Sequence, residues 1–153
     1  MVDRSAIGVT GPVYEFVVEK GKVREFAHAT KSTDPAHLDA AEPLIPATFL
    51  TIAGRFWGYT FDSPGDTDLA RIDVDRNLLL NAEEEFEFFG PPPRAGQRLL
   101  AQTGITDVFT KQGRRGGLLT FIVTETTFRS ESGDAVAALR QTIVQTEKAP
   151  DAD

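Results

Sequence analysis

From Leu78 to Glu147 the chain is β-patterned with only short breaks, and this constrains the fold more than any other feature. LLLNAEEEFEFF (78–89) alternates through Glu85, Phe86, Glu87 and Phe88, with the aromatic residues on one face. GPPPRAGQ (90–97) is a tight connection. RLLAQTGITDVFT (98–110) reads as a strand in which Gly104 marks a bulge or a close approach of backbone. KQGRRGG (111–117) is a turn, LLTFIVTETTFRS (118–130) a long β-branched strand, ESGD (131–134) a hairpin turn and AVAALRQTIVQTE (135–147) the last strand. Strands joined this closely must run antiparallel, because parallel neighbours need a long crossover. One face of such a sheet has to be covered by whatever precedes it.

The preceding half supplies the cover. VYEFVV (13–18) predicts a short strand, and GKVREFAHATK (21–31) a helix with Val23, Phe26, Ala27 and Thr30 on one face. His28 falls off that face and is expected to be exposed and inert. Ser32-Thr33-Asp34-Pro35 stops the helix, and AHLDAAEPLIP (36–46) reads as loop with one helical turn. PATFLTIAGRFWG (46–58) begins with a proline suited to a first helical turn and is apolar nearly all round, so it predicts a buried helix. TFDSPGDTDLARIDVDRN (60–77) is a polar excursion, and KAPDAD (148–153) is expected to fray. The prediction is α+β, an antiparallel sheet wrapped around a long central helix, with residues 1–147 as one domain.

Composition narrows the chemistry. A chain of 153 residues is one domain's worth. Its 16 basic and 23 acidic residues give a net charge of −7, which argues against a nucleic-acid partner. With no cysteine, disulfides, thiolate metal sites and cysteine nucleophiles are excluded. Only two histidines, His28 and His37, are present, so no metal site is expected. No apolar run reaches the ~18 residues of a membrane span, and the start lacks a signal-peptide core. A cytoplasmic protein is expected.

Four stretches together resemble one family. VREFAHATKSTDPAHLD (23–39) is similar to the entry helix and catalytic loop of MaoC-like dehydratases, also called (R)-specific enoyl-CoA hydratases. PLIPATFL (43–50) resembles the start of the central helix in the FAS1-like dehydratase branch of these hot-dog proteins. NAEEEFEFFGPPPRAGQRLLAQTGITDVF (81–109) and GRRGGLLTFIVTETTFRSESGDAVA (113–137) resemble that branch's glutamate-rich strand, proline corner and long hairpin. The resemblance spans roughly residues 10–147. It implies the hot-dog fold and the addition of water across a 2-enoyl thioester, or the reverse. The substrate handle would be CoA or acyl-carrier pantetheine, and no cofactor is implied.

The family motif Asp-x-Asn-Pro-x-His reads here Ser32-Thr33-Asp34-Pro35-Ala36-His37. Proline and histidine are kept, Asp34 stands for asparagine, and Ser32 stands for the aspartate. His37 is the strongest catalytic candidate, since an imidazole can activate water near neutral pH. Asp34 either partners it or caps the turn with its own side chain. Ser32 either holds a water or is an ordinary loop hydroxyl. The resemblance implies that the N–H groups of Ala47 and Thr48 polarise the thioester carbonyl. Phe49, Ile52, Phe56 and Trp57 are candidates for lining the acyl chain, with core packing as their alternative.

Glu83, Glu84, Glu85 and Glu87 read as a solvated acidic face. Residues 91–130 carry six basic residues against two acidic, a net of +4, among them Arg94, Arg98, Lys111, Arg114, Arg115 and Arg129. Lys111, Arg114 and Arg115 would meet CoA phosphates or an acidic carrier protein at the cleft mouth, or would merely solubilise a hairpin tip. Three roles remain open. The first is a hydratase or dehydratase. The second is a non-catalytic partner subunit, which Ser32 favours. The third is an acyl-CoA thioesterase, weakened because residues 46–58 hold no acidic residue and Glu42 lies only upstream. A homodimer or a heterodimer with another hot-dog subunit is expected, because a lone sheet has an open edge.

Overall fold

The computed structural model describes residues 2–56, 68–69, 72–114 and 117–147. Most of the 60–77 excursion and the 148–153 tail therefore lie outside the described residues.

Five strands form one antiparallel sheet in the order β1-β3-β4-β5-β2. They are β1 (Tyr14–Val17), β2 (Leu79–Phe88), β3 (Arg98–Gln112), β4 (Leu118–Ser130) and β5 (Ala135–Thr146). The strand boundaries match those read from the alternation to within two residues. Along β4 the side chains alternate without a break between a buried inner face (Thr120, Ile122, Thr124, Thr126 and Phe128) and a half-buried outer one. Gly104 is a close approach. A Cβ there would stand 3.0 Å from Thr10 Cγ2, and Thr10 bridges to Gly104 across the strand. The bulge in β3 falls one residue later, between Ile105 and Asp107.

Among the described residues, three α-helices lie in the first half: α1 (Lys20–Ala29), α2 (Pro35–Leu38) and α3 (Thr51–Phe56). The helix expected over 46–58 is more modest in the described residues. Residues 47–50 form turns, the N–H groups of Phe49, Thr51, Ile52 and Ala53 each reach back three residues, as in Phe49 N–H to Pro46 O at 3.0 Å, and the α-helix is assigned from Thr51. Pro46 lacks an N–H, and the next residues follow it in this tighter winding.

All five strands pack around this segment. Phe49, Leu50 and Ala53 share one core with Tyr14 and Phe16 of β1, Leu99 and Ala101 of β3, Phe128 of β4, and Ala137 and Leu139 of β5. Phe86 and Phe88 of β2 close it from the other side. Phe49 meets Phe16 and Phe26 at ring-centroid distances of 6.3 and 5.6 Å. This is a sheet wrapped around a helix, with α1 placing Val23 and Ala27 in the same core. A second cluster, built on Ile105, Val108, Ile122 and Ile143, fills the far end of the inner face beneath Val2, Ala6 and Leu69. No helix among the described residues is long and apolar enough to cross a membrane.

Candidate active site

The loop after α1 is set by the way that helix ends. Lys31 adopts φ +57°, and two bonds close the turn: Lys31 N–H to His28 O at 3.0 Å and Ser32 N–H to Ala27 O at 2.8 Å. A left-handed residue with this bond pair terminates the helix and turns the chain outward. His28 is exposed, as its position predicts.

The hydroxyl of Ser32 then accepts from Asp34 N–H at 3.3 Å. Asp34 Oδ1 in turn accepts from Ala36 N–H at 2.8 Å, capping α2. The structure thus gives Ser32 a turn-forming bond and Asp34 a capping one. The other carboxylate oxygen, Oδ2, lies 3.9 Å from His37 Nε2.

His37 is held in place more firmly. Its side chain is only 16% exposed, and Nδ1 lies 2.7 Å from the carbonyl oxygen of Leu44. A carbonyl only accepts, so Nδ1 carries the hydrogen, and the neutral ring presents its Nε2 lone pair toward Asp34 and solvent. Leu44 is fixed in turn: its N–H donates to Ala36 O at 2.9 Å, and it bridges to Arg94. Ile45 N–H donates to Pro93 O at 3.1 Å, and Ala95 N–H donates to Pro43 O at 2.9 Å. The proline corner between β2 and β3 is therefore a backbone clamp on residues 43–45. Arg24 Nε donates to Leu38 O at 2.8 Å and ties α1 to the end of α2.

This arrangement brings the 32–37 loop to the start of the central helix. Ala47 follows Leu44 by three residues, so its backbone lies within about 11 Å of the carbonyl that holds His37. Ala47 and Thr48 are exposed, and their N–H groups have no partner among the described residues. Phe49 is fully buried and Ile52 partly so, both packed in the core. Phe56 ends α3, while Trp57 lies outside the described residues.

The basic residues do not gather at one place. Lys111 and Arg114 are exposed at the far end of β3. That strand has 15 residues, roughly 45 Å of extended chain, between them and the proline corner beside His37. Within one chain they do not stand at the mouth of the His37 cleft. Sequence proximity to β3 could not show which of its ends faces the site. Lys111 Nζ rests 5.2 Å from the rings of both Phe109 and Phe121, which stack at 4.8 Å on the outer face. The turn beside these cations already has an anion. Glu147 Oε2 accepts from Leu118 N–H at 2.8 Å beside Gly117. Arg115 lies outside the described residues. Arg94, Arg98 and Arg129 sit at the opposite end, near the site. Arg94 and Arg98 line a groove of about 680 Å³ with Phe89, Pro91 and Ser130. Arg98 is paired there with Glu15 at 2.6 Å.

Glu84 also departs from expectation. It was read with Glu83, Glu85 and Glu87 as one solvated face, but strand alternation puts it on the inner face with Phe86 and Phe88. Its Oε1 accepts from Gln141 Nε2 at 2.9 Å and from Thr51 Oγ1 at 3.3 Å, so it is a carboxylate at the first residue of α3. Counting by twos from Phe86 identifies it.

Known proteins share this architecture. The HadBC complex of Mycobacterium tuberculosis, a (3R)-hydroxyacyl-ACP dehydratase, has a chain that superposes with a TM-score of 0.68 at 22% identity, covering 91% of this chain and 98% of that one. The ChsH1–ChsH2 complex of the same organism gives a TM-score of 0.67 at 14% identity, over 91% and 88% of the two chains. At these identities the likeness establishes the hot-dog fold. In sequence, a UPF0336 protein of Streptomyces griseus subsp. griseus is 31% identical over 124 residues, 73% of this chain and 77% of that protein. Residues 5–139 match the model of the FAS1-like dehydratase domain region, and the chain belongs to that dehydratase family.

Proposed function

We propose that this chain is the substrate-holding half of a two-subunit hydratase or dehydratase acting on 2-enoyl or 3-hydroxyacyl thioesters of CoA or an acyl-carrier protein. The observation that carries the reading is the bonding of Ser32. In the family motif this position holds the carboxylate that works with histidine. Here it holds a hydroxyl turned onto Asp34 N–H, and the nearest carboxylate to His37 Nε2 among the described residues is an exposed capping aspartate at 3.9 Å. Hydration needs a base to take a proton from water as hydroxide bonds to C3, and an acid to protonate C2. An imidazole without its charged partner performs this poorly, and loss of such a group removes ~10²–10⁴-fold of rate.

What remains suits binding. The free N–H groups of Ala47 and Thr48 would donate to the thioester oxygen, where negative charge grows as C3 is attacked. His37 would orient a water through its Nε2 lone pair, and its clamped ring costs little to preorganise. The partner subunit would supply the charged pair. The neighbours HadBC and ChsH1–ChsH2 are themselves two-component complexes, which supports this reading.

Hydration of crotonyl-CoA tests it. The isolated chain should show little or no turnover, and a mixture with a hot-dog subunit carrying an intact Asp-x-Asn-Pro-x-His should be active. A second reading, catalysis by Asp34 and His37 alone, is favoured by the free Nε2 lone pair. It requires strong turnover by the isolated chain that His37→Ala abolishes and Ser32→Ala does not.

A further inference from the structure

The groove of about 680 Å³ beside the proline corner opens at the end of the sheet nearest His37. The bridge between Leu44 and Arg94 makes the two places neighbours. Bridged antiparallel residues stand about 5 Å apart at Cα, and the Leu44 carbonyl is the one that holds the His37 ring. The volume falls within the ~300–1,000 Å³ of small-molecule sites.

Two kinds of group line it. Phe89 is 53% exposed, and Pro91, Pro92 and Val136 share its apolar wall. Arg94 supplies the charge. Its backbone is fixed by the Leu44 bridge and by its N–H donating to Gln97 Oε1 at 2.8 Å. Its guanidinium reaches only the Glu42 carbonyl oxygen, at 3.4 Å, and has no carboxylate partner among the described residues. Arg98 differs, being neutralised by Glu15 at 2.6 Å. An exposed ring beside one unpaired guanidinium suits a ligand that carries both a base and a phosphate. An acidic carrier protein asks for something else, a broad basic surface. This end does not offer one, because Glu15, Glu42, Glu131 and Asp134 are exposed among Arg94, Arg98 and Arg129.

We infer that the groove holds the adenosine phosphate end of a CoA thioester, with the adenine on Phe89 and a phosphate on Arg94. The inference rests on the thioester reading above and selects CoA over a carrier protein as the handle. A pantetheine arm is about as long as a five-residue extended peptide, ~16 Å, which spans from the N–H groups of Ala47 and Thr48 past Leu44 to Arg94. Lys111 and Arg114, at the far end of β3, take no part.

Isothermal titration of the full chain with CoA, adenosine 3′,5′-bisphosphate and 4′-phosphopantetheine tests this. CoA and the bisphosphate should both bind. Phosphopantetheine, which has a phosphate but no base, should bind about tenfold more weakly than CoA or worse. Phe89→Ala and Arg94→Ala should each weaken the bisphosphate about tenfold, and Arg94→Lys should recover part of that loss. Lys111→Ala and Arg114→Ala should leave its affinity unchanged. Thermal melts matching the wild type establish that each variant folds. A bisphosphate that does not bind at millimolar concentration overturns the inference. So does an affinity that Phe89→Ala and Arg94→Ala leave unmoved, or phosphopantetheine binding as tightly as CoA. None of these readouts involves turnover. Bisphosphate binding without hydration in any mixture would sink the proposed function alone, and hydration without bisphosphate binding would sink this inference alone.

Discussion

The two ends of the sheet carry similar polar residues and treat them differently. At the proline-corner end, polar groups reach across long sequence distances to backbone: His37 to Leu44 O, Arg24 to Leu38 O, and the 43–45 run to residues 93–95. At the hairpin end, the charges serve their own neighbourhood. Lys111 lies over Phe109 and Phe121, and Glu147 holds Leu118 N–H. The first pattern fixes a loop that no helix or strand would hold by itself. The second tidies a turn that the strands already hold. A charged hairpin is therefore weak evidence for a site, and a histidine fixed by a remote carbonyl is stronger evidence.

Removing the core beneath the first end should have the largest effect. Phe49→Ala deletes a fully buried ring at the start of the central helix and should cost about 3–5 kcal/mol in denaturant unfolding. Next is a pH effect on β1. Burial pushes the Tyr14 hydroxyl up to about 12, only partly opposed by the Thr103 side chain. The unfolded chain loses this proton near pH 10 while the folded chain keeps it, so stability should fall between about pH 10 and 12. Melting curves of Tyr14→Phe should lack that part of the fall.

Lys31→Gly should stabilise by about 0.5–1 kcal/mol, because glycine adopts the left-handed turn without strain. At the other end, Lys111→Ala should change stability by no more than ~0.5 kcal/mol. A larger loss there would show that the hairpin end is organised as tightly as the site.

Much of this was legible in the residues. Strand alternation gave β2 to β5 nearly to the residue, a close approach was one of the two readings of Gly104, and a capped turn was one of the two readings of Asp34 before Pro35. These are local signals of period, shape and turn chemistry. The clamp of Pro43–Ile45 on Pro93–Ala95 joins segments fifty residues apart through backbone groups that every residue has, so no side-chain pattern reveals it. The separation of Lys111 and Arg114 from His37 was equally hidden, because it depends on which end of β3 lies beside the loop. Glu84 was readable, since alternation alone assigns its face.

The account rests on one missing carboxylate, and restoring it tests the account most directly. Ser32→Asp, measured in the isolated chain for hydration of crotonyl-CoA, should raise turnover by about 10²-fold or more over a nearly inactive wild type. A wild type that already turns the substrate over strongly, at a rate Ser32→Asp leaves unchanged, would contradict the claim that residue 32 separates binding from catalysis in this chain.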